Sequence, residues 1–123
     1  MAYFWAMTTQ APLPHPDADQ IALPEVLSAL ADQTRLAIIG HLSRCEPVGM
    51  TCGQFTDLAS KTAISYHVSK LREAGVVNVV PEGTRRRVTL RRNDLDARFP
   101  GFLDSIISST RDLHIEGLED ELT

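Results

Sequence analysis

The stretch from Thr51 to Arg92 constrains this chain most, because hydrophobic period and charge both change along it. Ile64, Val68 and Leu71 recur at i, i+4 and i+7, which makes one apolar stripe on a helix, and Ala74 extends it by a turn. The other face carries Ser65, Tyr66, Ser69, Lys70 and Arg72, a set rich in hydrogen-bond donors. Gly75 supplies the left-handed residue that ends a helix. Residues 76–80 (Val-Val-Asn-Val-Val) read as a strand, Pro81 to Thr84 as a turn, and Arg85 to Leu90 as a second strand. A donor-rich helix followed by a basic hairpin is the layout of a recognition helix and its wing.

The preceding residues fit that layout. Thr51 and Gln54 have the spacing of a capping box, and Met50 and Phe55 that of a hydrophobic staple, predicting a short helix from Cys52 to about Ala59. Ser60, Lys61 and Thr62 then form a turn with two candidate N-caps, Ser60 and Thr62. Two short helices so joined make a helix-turn-helix unit, whose second helix enters the DNA major groove.

Further upstream, Thr8 to Asp19 holds Pro12, Pro14 and Pro16 and is expected to be extended or disordered, part of a tail over residues 1–20. A first helix is predicted from near Pro24 through Val26, Leu27 and Leu30. Asp32 is the cap of a second, in which Leu36, Ile39 and Leu42 make the core stripe and Ile38 broadens it. After the wing, Asn93 and Asp94 can cap a further turn that Pro100-Gly101 interrupts, and a last helix carries Phe102, Leu103, Ile106 and Ile107. Residues 111–123 are acidic and expected to fray. The predicted fold is mainly α with a small β-hairpin (α+β), a winged helix-turn-helix of order α-α-α-α-β-β-α occupying residues 21–110.

A formal charge of −4 over 123 residues looks wrong for a partner of nucleic acid until it is divided. Residues 1–60 carry −4, residues 61–92 carry +6 and residues 93–123 carry −6. Charges beyond a Debye length of roughly 8 Å are screened, so the local balance decides where a phosphate backbone can sit. The basic third is the one with the helix and wing. No apolar run is long enough to span a bilayer, and the apolar start, Met1 to Met7, lacks the basic flank of an export signal. Met7 is the expected natural start. Two cysteines without an export signal predict a cytoplasmic protein with free thiols.

The wide apolar face of the last helix predicts a two-fold homodimer in which Val26, Leu27, Phe102, Leu103, Ile106 and Ile107 line the interface. The competing expectation is that this helix folds back onto its own domain. An enzyme would need converging groups, but Ser65 and His67 lie two apart on one helix and no phosphate loop or HExxH motif is present. No catalytic residue and no membrane contact is expected. A protein-docking winged helix without DNA binding is the other class to weigh.

Residues 30–39 (Leu-Ala-Asp-Gln-Thr-Arg-Leu-Ala-Ile-Ile) and the run from Ile64 to Val77 together resemble the ArsR family of bacterial winged-helix repressors, over roughly residues 22–108. Gln33 stands where that family usually has Pro. The resemblance implies a homodimer that binds an inverted-repeat operator in double-stranded DNA and leaves it when a metal ion or an oxidant is sensed. It implies that Ser60, Lys61, Thr62, Ser65, Tyr66 and His67 face the groove, with Lys70 beside them, and that the turn from Gly83 to Arg87, including Thr84, reaches the backbone or minor groove. Strand alternation predicts that Arg85 and Arg87 share the DNA face while Arg86 looks elsewhere. His67 has a structural alternative as a partly buried residue, and Tyr66 as a cover for the helix junction.

Sensing has weaker support. Aligned on Asp57-Leu58, the family's Cys-x-Cys positions are Gln54 and Thr56, so that metal site is absent. Asp112 and His114 match half of its other zinc motif, leaving Asp112, His114 and Glu116 as weak candidates and no cofactor predicted. Cys45 and Cys52 are the redox-sensing candidates. Cys52 falls at N1 of its predicted helix, where the macrodipole favours a thiolate, although small buried cysteines are also ordinary core residues.

Overall fold

A computed structural model describes residues 13–55 and 57–111. The expected tail up to residue 12, the start at Met7, and Asp112, His114 and Glu116 lie outside the described residues. The fold is the predicted winged helix-turn-helix, with five helices and a small antiparallel sheet. Helices α1 (Leu23–Leu30) and α2 (Gln33–Arg44) come first, followed by strand β1 (Met50–Thr51) and a 3-10 turn at Cys52–Phe55. The recognition helix α3 (Lys61–Ala74), the hairpin strands β2 (Val77–Glu82) and β3 (Arg85–Leu90), and helices α4 (Arg92–Arg98) and α5 (Phe102–Arg111) complete it.

Caps set the two helices that matter. Asp32 accepts from the Arg35 N–H at 3.0 Å and starts α2. Of the two candidates ahead of α3, Ser60 is the cap, its hydroxyl accepting from the Ala63 N–H at 3.1 Å. Ile64, Val68, Leu71 and Ala74 are buried, as their spacing requires, against Ile38, Ile39, Leu42 and the inner face of the sheet. Gly75 closes the helix at φ 87°, and a Cβ there would stand 2.6 Å from Ile21 Cγ1.

Three local expectations are corrected. The third helix is only one 3-10 turn: Met50 and Thr51 are drawn into a strand opposite Val88 and Arg87, and Gly53 is a poor helix former. Half of the capping box survives, with the Thr51 N–H donating to Gln54 Oε1 at 2.8 Å. The wing turn has two residues, Gly83 (φ 60°) and Thr84, instead of four, so Pro81 belongs to β2. The sheet order β1-β3-β2 makes β2 an edge strand, where proline is tolerated. Helix α4 begins at Arg92, ahead of the expected Asn93 cap, because Asp94 lies in its first turn and pairs with Arg91 at 2.9 Å.

The predicted interface set is also divided. Val26, Leu103 and Ile107 lie in the domain's own core, with α5 packed on α2 as the competing expectation had it, so these three are not free to line a contact with a second copy. Leu27 is exposed, and Phe102 and Ile106 are half-buried.

Gly75→Ala should destabilise the domain by about 2 kcal/mol or more, since it adds a left-handed penalty to a clash with Ile21. Chemical denaturation checks this.

Candidate nucleic-acid interface

The recognition helix is held by one knot of polar groups. Arg35 donates from Nε to the Ala29 carbonyl at the end of α1, and from Nη1 to His67 Nδ1 on α3 at 3.0 Å. A guanidinium has only donors, so His67 Nδ1 is the acceptor in this bond. Asp32 Oδ1 stands 3.9 Å from the same nitrogen. Burial works to raise the Asp32 carboxyl, but the Arg35 N–H, the Arg35 charge and the Thr34 N–H together hold it below the usual carboxylate range. His67 Nδ1 is thus occupied within the domain, with the ring edge-on to Tyr66 at 5.5 Å. That is its structural alternative.

Between the N-terminal half of α3 and the wing lies a cleft of about 720 Å³. Gln54, Lys61, Ser65, Thr84, Arg85 and Arg86 line it. The structure therefore brings together four of the DNA-contact candidates, Lys61, Ser65, Thr84 and Arg85. Ser60 and Thr62 are exposed beside them on the first turn of α3. Tyr66 is 56% exposed, with the Lys70 ammonium 5.4 Å from its ring, and both face a second, smaller hollow toward Ser28 and Glu25 on α1.

Arg86 and Arg87 exchange the places expected for them. Arg86 shares strand parity with the buried Val88 and Leu90, so it lies on the helix-facing side beyond the end of the core and borders the cleft. Arg87 is turned to the other face, where Nε donates to Glu82 at 2.8 Å and Nη1 to the Val48 carbonyl. The inward parity of Arg86 was readable in the sequence; sequence reasoning missed it by treating the three arginines apart from the strand's core residues.

The basic third divides in the same way. Arg91 is buried and bound to Asp94, and Arg92 is clamped between Glu46 and Asp104, the Glu46 hydrogen bond raising its pKa further. Lys61, Arg85 and Arg86 have no carboxylate partner among the described residues. Positive charge without a carboxylate partner among the described residues is thus present at the cleft.

The sensing candidates fare differently. Cys45 caps the end of α2, Cys52 borders the cleft, and both are free and half-buried. Burial pushes the Cys52 thiol up, only partly offset by Arg86, which corrects the thiolate expectation: a four-residue 3-10 turn has little dipole to offer. Among the described residues no group of three or more His, Cys, Asp or Glu side chains gathers to hold a metal. No helix among them is long and apolar enough to cross a membrane.

This fold and cleft define a winged helix-turn-helix DNA-binding protein. Residues 30–80 match the model of a helix-turn-helix domain family. The Bacillus subtilis (strain 168) protein named uncharacterized HTH-type transcriptional regulator YceK is 35% identical over 94 residues, covering 72% of this chain and 88% of that protein. The chain belongs to this family of HTH-type transcriptional regulators.

Asp32→Ala should lower the unfolding free energy by about 1 kcal/mol at pH 7, the usual loss for an N-cap. A carboxyl held below its ordinary range when folded stabilises above the unfolded pKa and loses that contribution as pH falls through the folded value. The gap between variant and parent in denaturant titrations should therefore be full above about pH 5 and narrow toward about pH 3.

Proposed function

We propose that this regulator is an ArsR-like repressor that binds an inverted-repeat operator as a two-fold homodimer. In this reading α3 lies in the major groove, with Ser60, Lys61, Thr62, Ser65, Tyr66 and Lys70 toward DNA. Thr84, Arg85 and Arg86 meet the adjoining backbone, while His67 and Arg87 serve the subunit itself. The observation that carries it is the convergence of Lys61, Arg85 and Arg86 on one cleft without carboxylate partners among the described residues. The surface left for a second copy is Leu23 and Leu27 on α1 with the half-buried Phe102 and Ile106 on α5. Two-fold symmetry then presents two reading heads to two half-sites.

The test is selection of a duplex from a random library, followed by titration at two salt concentrations. The expected result is an inverted repeat, weaker binding to a single half-site, and affinity falling steeply with salt as counterions are released. Replacing Lys61, Arg85 and Arg86 together with alanine should reduce affinity at least about 100-fold, while Arg87→Ala changes it by less than about 3-fold. Weak, salt-insensitive binding without sequence preference would point instead to a protein-docking module.

An effector that lifts the protein from DNA belongs to the same proposal, with thiol oxidation by peroxide as its form. Cys52 is the relevant thiol because it borders the cleft; a sulfenic acid there would add a polar group beside Arg86. Its raised pKa predicts slow reaction at neutral pH, accelerating as pH rises. Peroxide should release the parent from DNA and leave Cys52→Ser bound; release of Cys52→Ser at the parent's rate would remove Cys52 from the mechanism.

A further inference from the structure

The segment before α1 does more than lead into the domain. Leu13 packs on the core, and the chain then runs extended to Asp17. Along this run three contacts follow one another, each to a different part of the reading head. The Pro14 carbonyl accepts from Arg72 near the end of the recognition helix. His15 Nε2 accepts from the Val79 N–H of β2 at 3.0 Å. The Pro16 carbonyl accepts from Arg91 Nη1, just past the end of β3, at 2.7 Å. Pro16 also lies against Gly75, where a Cβ would come within 3.3 Å of its ring.

The chemistry of His15 is specific. Since Nε2 receives a backbone N–H, the ring proton sits on Nδ1, which donates to the Leu13 carbonyl at 2.8 Å. Both nitrogens are used, one to shape the segment and one to grip the wing. Val79 stands opposite Val88 on the edge strand, so its N–H points away from the sheet and would otherwise be an open edge donor. Beyond Val79 the hairpin extends only to Glu82 before the turn that carries Thr84 and Arg85. A hold at Val79 therefore acts at the root of the projecting wing.

We infer that Leu13 to Pro16 is a strap that sets the wing against the recognition helix, and that His15 is a positioning residue for the wing's contact with DNA. This rests on the proposed DNA reading of the cleft. His15 touches no DNA; it acts through the placement of Arg85 and Arg86. The strap joins the end of α3, β2 and the start of α4, and so ties together the helix and the hairpin whose far ends border the cleft.

The experiment measures affinity for the duplex selected by the parent, in full-length variants. His15→Ala should weaken binding by about 5-fold, in line with the loss of one well-made hydrogen bond. His15→Gln should restore it, because a glutamine offers an acceptor at similar reach and a donor for Leu13. The deciding arm is a double-mutant cycle with Arg85→Ala. If the strap works through the wing, His15→Ala should cost less than about 2-fold once Arg85 is gone. Should His15→Ala not fold, His15→Asn, too short to reach Val79, takes its place with the same outcomes. An unchanged affinity, or an equal loss in both backgrounds, would overturn the strap while leaving the DNA reading intact. A parent that binds no duplex, or an Arg85→Ala variant as tight as the parent, would sink the DNA reading and the strap with it.

Discussion

The bond between Arg35 and His67 is the contact on which the reading head depends. A helix-turn-helix unit works only if its second helix is held at a fixed angle to the supporting helix. Arg35 adds a directional contact to the apolar packing between them, gripping α1 through the Ala29 carbonyl and α3 through His67 from one rigid guanidinium. Asp32 completes the joint from the other side, capping α2 through the Arg35 backbone N–H and standing 3.9 Å from His67 Nδ1. The run from Leu30 to Ile39 that resembles a repressor motif is thus a mechanical joint. Its polar residues are occupied with one another, while the neighbouring Tyr66 is left exposed to solvent.

Polar groups around this joint sort by how they are used. Carboxylates are placed where arginines do structural work: Asp94 on Arg91, Glu46 and Asp104 on Arg92, Glu82 on Arg87. These pairs fix the loop after α2 and the helices after the wing to the rest of the domain. The exposed ones contribute at most about 1 kcal/mol each, so their effect is on placement more than stability. Arg91 is the exception, with a side chain only 7% exposed, and it needs both Asp94 and the Pro16 carbonyl to be tolerated there.

Local signals made most of the fold legible. Asp32, Ser60 and Gly75 are short-range devices whose geometry depends on neighbours within a few residues, and the stripe from Ile64 to Ala74 needs no tertiary information to be read. What stayed hidden is non-local. Strand β1 has two residues and therefore no period, and it exists because Met50 and Thr51 meet Val88 and Arg87 far along the chain. His15 read as part of a proline-rich tail, since nothing nearby tells that its acceptor would meet Val79. The same limit explains the cleft: Lys61, Ser65 and Arg85 could be named from their segments, whereas Gln54 enters only through the turn that packs beside α3.

The pairing of Arg91 and Arg92 has a consequence for how the molecule travels. These residues follow the far end of β3 from the turn, so a strand's length, roughly 20 Å, separates the neutralised arginines from the uncompensated ones at the tip. The positive charge of Lys61, Arg85 and Arg86, which no carboxylate answers among the described residues, therefore lies toward the wing tip and the cleft, away from the paired arginines. Such a body experiences a torque as it nears a polyanion and is rotated before it lands, so that unproductive encounters are shed early. That asymmetry then works as a rudder, and its value is greatest at low ionic strength, where the field reaches furthest into the solvent.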